Sequence, residues 1–420
     1  MFARSLLAGG LAALLSAAPV QAGETPEPVV RVGIAIDAAA ATLACDGQVR
    51  VWRAGSGTAG SVFGPGCAFR LQPAAPVPSG APAALRLTLV DGAAGPSLGT
   101  FEEELVFEPL TPDAPLAVDG KACRGEILAH ATRSGDLTIV NALRVEAYLC
   151  GVLPLEMGAG EGTPAAALEA QAIAARSYTL YYLGRRAQHR CDLFASTEDQ
   201  VYGGIDAETP AGTRAVLGTR GVVATYHGRP IRANYSSTCG GVTEASDQAW
   251  RGESFPYLRR TKDRDGSGGA LCAGSRYFRW KVVWDPRELE ASILARLPEE
   301  VPEARGIPLR RLKGLRVAER TSSGRVRVLE IRTDNGTFRV SGDRARRLVR
   351  TPSGAPLYSA FWGRFRRTRE NGGTIELEGR GYGHGVGMCQ CGALEMGRRG
   401  ASAAEILRHY YRGVSLVRWW

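Results

Sequence analysis

Between residues 28 and 118 the chain alternates short apolar runs with turn-forming stretches. VVRVGIAI, QVRVWRA, LRLTLV and ELVFEPL are separated by segments such as QPAAPVPSGAPA. Short runs bounded by turn formers predict β-strands, gathered here into a small N-terminal β domain over 28–118. The period then changes. TIVNALR reads as a strand, after which Val145, Leu149 and Val152 fall on one helical face, and Pro154 is expected to end that helix. A second helix is signalled by Thr163 as N-cap, Pro164 at the first helical position and Gly184 as stop. Its residues Ala166, Ala167, Ala170, Ala172, Ala174 and Ala175 let neighbours approach closely, so burial on several sides is expected. From 191 to 260 strands and turns return, with a hairpin in GVVATYHGRPIRANYSS turning at His227-Gly228. Residues 286–298 read as a helix, VRVLEIRTDNGTFRVSG as a hairpin turning at Asn335-Gly336, and SAAEILRHYYRG as a helix capped by Ser402. The class is α+β, mixed strands with a few helices, and no internal repeat is present.

The first residues change the picture of where such a chain works. Arg4 precedes an apolar run from Leu6 to Ala18, closed by Val20-Gln21-Ala22, so residues 1–22 read as a secretory signal peptide. No later run approaches the roughly 18 apolar residues of a membrane helix. The expectation is a secreted, periplasmic or cell-wall-associated protein with no membrane span after signal removal. The formal charge of +10, from 52 basic and 42 acidic residues, has much of its excess between 304 and 367, in IPLRRLKGLR, GDRARRLVR and GRFRRTR. In an exported chain this suits an acidic cell-wall polymer or an anionic membrane surface, or is simply a solvated face. Basic and aromatic residues do not interleave as they do in RNA-binding surfaces, so nucleic acid is set aside. The nine cysteines are odd in number, and an oxidising compartment permits pairing without fixing a connectivity.

Four stretches carry candidate chemistry. Glu156 in LPLEMG stands against Leu153, Leu155 and Met157, and an apolar surround raises a carboxyl pKa toward that of a general acid. A solvated loop glutamate is the plainer alternative. Arg176 lies in the alanine-rich helix, where a buried charge requires a partner, either a structural carboxylate or an anionic substrate. STEDQVYGG and NYSSTCGGVTE set Gly-Gly pairs beside hydroxyls and amides, a pattern common to sugar-contacting loops and plain hairpins. GRGYGHGVGMCQCGALEMG, residues 379–397, fits no dinucleotide or phosphate-loop spacing. His384, Cys389 and Cys391 give at most three metal ligands, with a fourth to come from Cys239 or Cys272, and there is no HExxH or CxxC pair. Spacing alone does not favour a metal.

Taken in order, VEAYLCGVLPLEMG with ALEAQAIAARSYTL, STEDQVYGG, AVLGTRGVVATYHGRPIRANYSSTCGGVTE and GRGYGHGVGMCQCGALEMGRRGASAAEILRHYYRGVSL resemble the SpoIID/LytB family, the stage II sporulation protein D group of peptidoglycan lytic transglycosylases. The resemblance covers roughly residues 30–418. It implies a catalytic domain over 121–420, containing the basic β-rich segment 281–370, built around a glycan-binding cleft. It implies Glu156 as a single acid/base cutting peptide-stripped glycan between N-acetylmuramic acid and N-acetylglucosamine. One carboxyl suffices there, because the muramic acid's own 6-hydroxyl attacks and leaves a 1,6-anhydro product, whereas ordinary glycosidases need two. Arg176 would orient Glu156 or hold saccharide, and Gln200, Tyr202, Tyr235, Ser236, Tyr382 and His384 would line the cleft. Some members hold zinc through a histidine and cysteines after the alanine-rich helix. Here His189 and Cys191 occupy that region but Asp199 stands where a cysteine is expected, so no cofactor is expected. Cys239 and Cys272 match a recurrent pair in the family's exported members, implying a disulfide, with a metal site as the alternative. The partners implied are glycan strands and other cell-wall hydrolases. The competing readings are a non-catalytic glycan-binding enhancer of a cell-wall amidase and a zinc hydrolase built on His384, Cys389 and Cys391.

Overall fold

The computed structural model describes residues 25–420 apart from 58, 75–82, 91–94, 112, 251 and 369–372, so the expected signal peptide lies outside the described residues. The class is α+β, in three units, each with its own core.

The first unit is a pair of sheets. Six antiparallel strands, in the order Lys121–Cys123, Leu116–Val118, Ala41–Cys45, Cys67–Pro73, Leu85–Leu89 and Ser97–Phe101, form one sheet. The other runs Leu193–Phe194, Val29–Ala38, Leu137–Arg144, Glu126–Ala131, Leu105–Pro109, Val49–Arg53 and Ser61–Phe63. Leu43, Phe69, Leu71 and Leu85 from the first meet Val49, Phe107, Ile127 and Ile139 from the second in one buried core. Ala41–Cys45, Val49–Arg53 and Leu85–Leu89 alternate buried with less buried positions, whereas Glu126–Ala131 and Leu137–Arg144 are buried on both faces. The expected boundary at 118–121 is crossed: Val29–Ala38 pairs with Leu137–Arg144, which also pairs with Glu126–Ala131. The β unit therefore extends to Arg144.

The second unit is helical. Helix α1, Val145–Met157, follows directly on the last of these strands, and helix α2 spans Ala165–Tyr181. Contrary to expectation, α1 runs through Pro154 for three further residues and stops at Gly158, whose φ of 65° and N–H to the Pro154 carbonyl close it. Proline cannot supply an N–H to the carbonyl four residues back, but burial of Val152 and Leu153 and the left-handed glycine cap hold the last turn. Helix α2 starts one residue after the expected position, with Pro164 as its N-cap. The helix meets α1, the helices Pro210–Gly218, Gln390–Arg398 and Ala403–Tyr410, and the strand Val222–Tyr226, and Ala167, Ala170, Ala172, Ala174 and Ala175 are all buried. The hairpin turns at His227-Gly228 as expected, both residues having positive φ.

The third unit, Trp280 to Gly379, is inserted before the chain returns to the helical unit. Its central strand Ile375–Gly379 pairs with Trp280–Trp284 on one side and Arg366–Arg367 on the other, and a second sheet holds Leu312–Arg320, Val326–Thr333 and Gly336–Ser341. Helix Pro286–Glu300 is capped by the Asp285 side chain, which accepts from the Arg287 and Glu288 amides. The second hairpin turns one residue early, at Asp334-Asn335, because Thr333 pairs with Gly336. Trp284, Leu289, Ile293, Leu329, Leu348 and Trp362 fill the core of this unit.

The helical unit is organised on a buried ion pair. Arg176, fully enclosed, donates from Nε to Glu146 Oε1 at 3.0 Å and from Nη2 to Oε2, and its remaining donors reach the carbonyls of Val216 and Val222. Glu146 Oε1 also accepts from Gly221 N at 2.9 Å and Trp420 Nε1 at 3.1 Å. Removing one member leaves the other charged and unpaired, so Arg176→Met is expected to cost about 3–5 kcal/mol in urea denaturation. The double variant Glu146→Gln/Arg176→Met is expected to recover part of that loss, since no charge is then left unpaired.

Candidate active site

Glu156 sits in the last turn of α1, partly buried. Its Oε1 accepts from Val201 N at 2.9 Å. Desolvation raises its carboxyl above the ordinary value, against the lowering effect of that N–H and of the Gln390 side-chain amide. The carbonyl end of a helix also disfavours a negative charge. Two tyrosines close the surroundings: Tyr148 and Tyr235 have hydroxyls driven well above their usual pKa, first by burial and then by the Glu156 charge. Both remain proton donors near neutrality.

Gln200 links these groups. It is fully enclosed; its Oε1 accepts from Tyr148 OH at 3.3 Å and from Thr179 Oγ1 at 2.8 Å, and its Nε2 donates to Tyr235 OH at 3.0 Å. On the opposite side Gln390 Nε2 reaches Gln171 Oε1 at 3.4 Å, joining the Gln390–Arg398 helix to α2. The segment holding Val201 and Tyr202 lies directly on α1. A Cβ at Gly203 would stand 2.8 Å from Leu155 Cδ1 and 2.7 Å from Ala207 Cβ. The glycine pair of STEDQVYGG thus serves close packing against the chain itself.

The expected site residues divide into separate groups. Tyr235 stands with Glu156. Gln200, expected to touch sugar, is enclosed and instead orients Tyr148 and Tyr235. Tyr202 is likewise buried, its hydroxyl donating to Asn141 Oδ1 at 2.9 Å and its ring 5.2 Å from that of Tyr148. Ser236 is buried, its Oγ accepting from Gly385 N at 3.2 Å. Arg176 is the clearest correction: with no exposed surface and its donors spent on Glu146 and backbone carbonyls, it can neither hold saccharide nor hydrogen-bond Glu156. Tyr382 is exposed, stacked on Tyr277 at 4.5 Å. His384 packs on Trp250 at 5.2 Å, and its Nδ1 accepts from Val386 N at 3.0 Å. Burial lowers its imidazole to about 4, so it is neutral at pH 7. It lines a small cavity with Trp250, Arg325 and Asp343, next to one of about 790 Å³ lined by Trp250, Glu300, Arg339, Asp343 and Arg347. Neither cavity includes Glu156 among its lining residues. The glycines of the 379–387 run accommodate neighbouring chain: a Cβ at Gly387, where φ is +74°, would fall 1.9 Å from the Asn234 carbonyl oxygen. Tyr148 and Gln390 escaped the sequence reading. Gln390 lies inside the quoted CQCG run, where the cysteines drew the attention.

Residues 133–226, which include Glu156 and Arg176, match the family model described as stage II sporulation protein (SpoIID), and 244–387 match a domain of unknown function, DUF8618. An uncharacterised protein of Brachyspira hyodysenteriae is 30% identical over 321 residues, 76% of this chain and 78% of that protein. The stage II sporulation protein D of Bacillus amyloliquefaciens is 28% identical over 333 residues, 76% of this chain and 83% of its own. The chain belongs to the SpoIID family. The amidase enhancer of Bacillus subtilis is 28% identical over 295 residues, 64% of this chain and 40% of that protein. Among the described residues no helix of this family member is long and apolar enough to cross a membrane.

The zinc position of some SpoIID members does not fit this chain. Asp199 receives Arg185 Nη1 at 2.8 Å on one oxygen, and Arg186 and Phe194 N on the other, while the His189 ring packs on Phe194 at 5.2 Å. A carboxylate already neutralised by two guanidiniums gains little from a further cation, and Asp199 takes the place of a thiolate ligand.

The raised carboxyl of Glu156 carries a pH signature. Its penalty is absent below the unfolded-state value near 4.5 and complete above the higher folded-state value. Stability is therefore lost as pH rises through the folded pKa. Denaturation at pH 4 and pH 7 is expected to show a larger loss for the wild type than for Glu156→Gln, which keeps the Val201 hydrogen bond without the charge.

Proposed function

We propose that this protein is an exported peptidoglycan lytic transglycosylase, cleaving peptide-stripped glycan to 1,6-anhydro-N-acetylmuramic acid products. The observation that carries the reading is the Glu156 carboxyl, largely removed from water, bonded to Val201 N and near enough to Tyr148 and Tyr235 for its charge to raise their hydroxyls. A raised pKa suits it to protonate the glycosidic oxygen as a general acid. The resulting carboxylate, held by Val201 N and Gln390, then removes the proton from the muramic acid 6-hydroxyl as that oxygen attacks the anomeric carbon. The leaving sugar departs with the first proton, Glu156 recovers its own, and no water is consumed. Membership of the SpoIID family, with relatives named for sporulation and for amidase enhancement, supports a cell-wall role for the chain. The Arg-rich stretch 304–367 would meet the acidic wall polymer through arginines not already paired, as Arg316 is with Glu330 and Arg347 with Glu300.

A second reading is favoured by one relative's name. The amidase enhancer likeness admits a module that holds glycan for another hydrolase without cutting it. Mass spectrometry of products from purified, peptide-stripped glycan separates the two. Anhydro products from the wild type, reduced on the order of 100-fold or more in Glu156→Gln with the fold retained, are expected. Retention of glycan with no cleavage product would establish the binding module instead. The rate should fall as pH rises through the raised Glu156 pKa, because the acid must start protonated.

A further inference from the structure

Three thiols and a carboxylate that the Glu156 chemistry does not use meet inside the helical unit. Cys239 follows the Tyr235–Ser236 strand. Asp263 lies between backbone bridges at Lys262 and Arg264, and Cys272 belongs to the short helix Leu271–Gly274. Cys389 ends the strand Met388–Cys389 and caps the Gln390–Arg398 helix. All four are buried, and one donor atom from each lies within 4.8 Å of every other. Cys239 Sγ is 3.8 Å from Cys272 Sγ and 3.0 Å from Asp263 Oδ2. A tetrahedral ion with Zn–S bonds of about 2.3 Å separates its sulfurs by roughly 3.8 Å, so the cluster already has nearly the dimensions of such a shell.

The surroundings are those of a supported ligand set. Asp263 Oδ1 accepts from Tyr410 OH at 2.7 Å and faces His409 Nε2 at 3.6 Å, leaving Oδ2 turned toward the thiols. Cys389 Sγ receives Cys239 N at 3.2 Å. The buried Arg325 guanidinium donates to Cys239 O at 2.7 Å and Val242 O at 3.0 Å, bringing positive charge beside the group. Hydrogen bonds of this kind orient ligands and balance charge around a metal. The implied Cys239–Cys272 disulfide would use two of these donors and leave the Cys389 thiol and Asp263 buried without the partner that gathers all four.

We propose that Cys239, Asp263, Cys272 and Cys389 form a structural zinc site. Thiolates select a soft or borderline ion over calcium or magnesium, and four protein ligands leave no open position for catalysis. The site differs from a zinc hydrolase on His384 and Cys391, neither of which belongs to the cluster. It would join four separate segments and fix Cys389, the residue before Gln390, and so the Gln390 side-chain amide that bears on Glu156. The inference does not depend on the glycan chemistry.

The test uses the full chain purified under reducing conditions without chelator. Elemental analysis is expected to find one zinc per chain. Cobalt(II) exchanged into the site is expected to give intense tetrahedral d–d bands with thiolate-to-metal charge transfer. Cys272→Ser and Asp263→Ala are expected to lower zinc content at least tenfold, whereas Cys391→Ser, adjacent but outside the cluster, keeps it. Should the ligand variants fail to fold, the wild-type zinc content and cobalt spectrum decide alone. Wild-type protein with neither zinc nor a cobalt–thiolate spectrum overturns the proposal. So does a Cys239–Cys272 disulfide in protein isolated without reductant, with Cys389 alkylated equally fast with and without chelator.

Discussion

The Arg176–Glu146 pair is the constraint on which the helical unit rests. A guanidinium with no exposed surface is tolerable only with a bidentate carboxylate and further acceptors, and both are present. Because Glu146 lies in the first turn of α1 and Arg176 near the middle of α2, the pair sets the rotation of each helix against the other. Its remaining contacts, to Gly221 N and Trp420 Nε1, register the strand Val222–Tyr226 and the last residues on the same point. Glu156 is ten residues, just under three turns, further along α1. Its position is therefore inherited from an electrostatic lock it never touches.

At the other end of α1 the electrostatics are inverted. Glu146 is given every donor it can use, whereas Glu156 has one backbone N–H and one amide against the cost of burial. Two carboxyls on one helix are thereby driven to different tasks by what surrounds them. Gln200 belongs to the Glu156 end alone: by accepting from Tyr148 and donating to Tyr235 it orients both hydroxyls.

Much of the architecture was readable in the sequence where the signal was local. Strand alternation, the alanine-rich helix and the His227-Gly228 turn each follow from residues within a few positions of one another. The unit boundary was not readable, because the pairing of Val29–Ala38 with Leu137–Arg144 joins segments a hundred residues apart. Pro154 misled because a local helix-breaking rule yielded to burial and a glycine cap. Glu156 was identifiable through its apolar neighbours and the family resemblance. Yet Leu155, one of those neighbours, is exposed, and of the two tyrosines whose hydroxyls feel the Glu156 charge, Tyr148 shares its helix whereas Tyr235 comes from a strand distant in sequence. Arg176 was correctly read as needing a partner, but nothing in the helix marked Glu146, thirty residues earlier, as that partner.

The contact between Gln390 and Gln171 spans 219 residues and encloses the entire inserted unit. Contacts of such separation form late, since the chain between them must first be ordered enough to bring its ends together. The setting of Glu156 therefore draws on distant parts of the chain, α1 with the Val201 segment on one side and Gln390 from beyond the inserted unit on the other. A nascent or truncated chain would thus carry Glu156 in an open, hydrated setting, with the carboxyl near its ordinary acidity. Competence would then depend on the docking of the Gln390–Arg398 helix against α2.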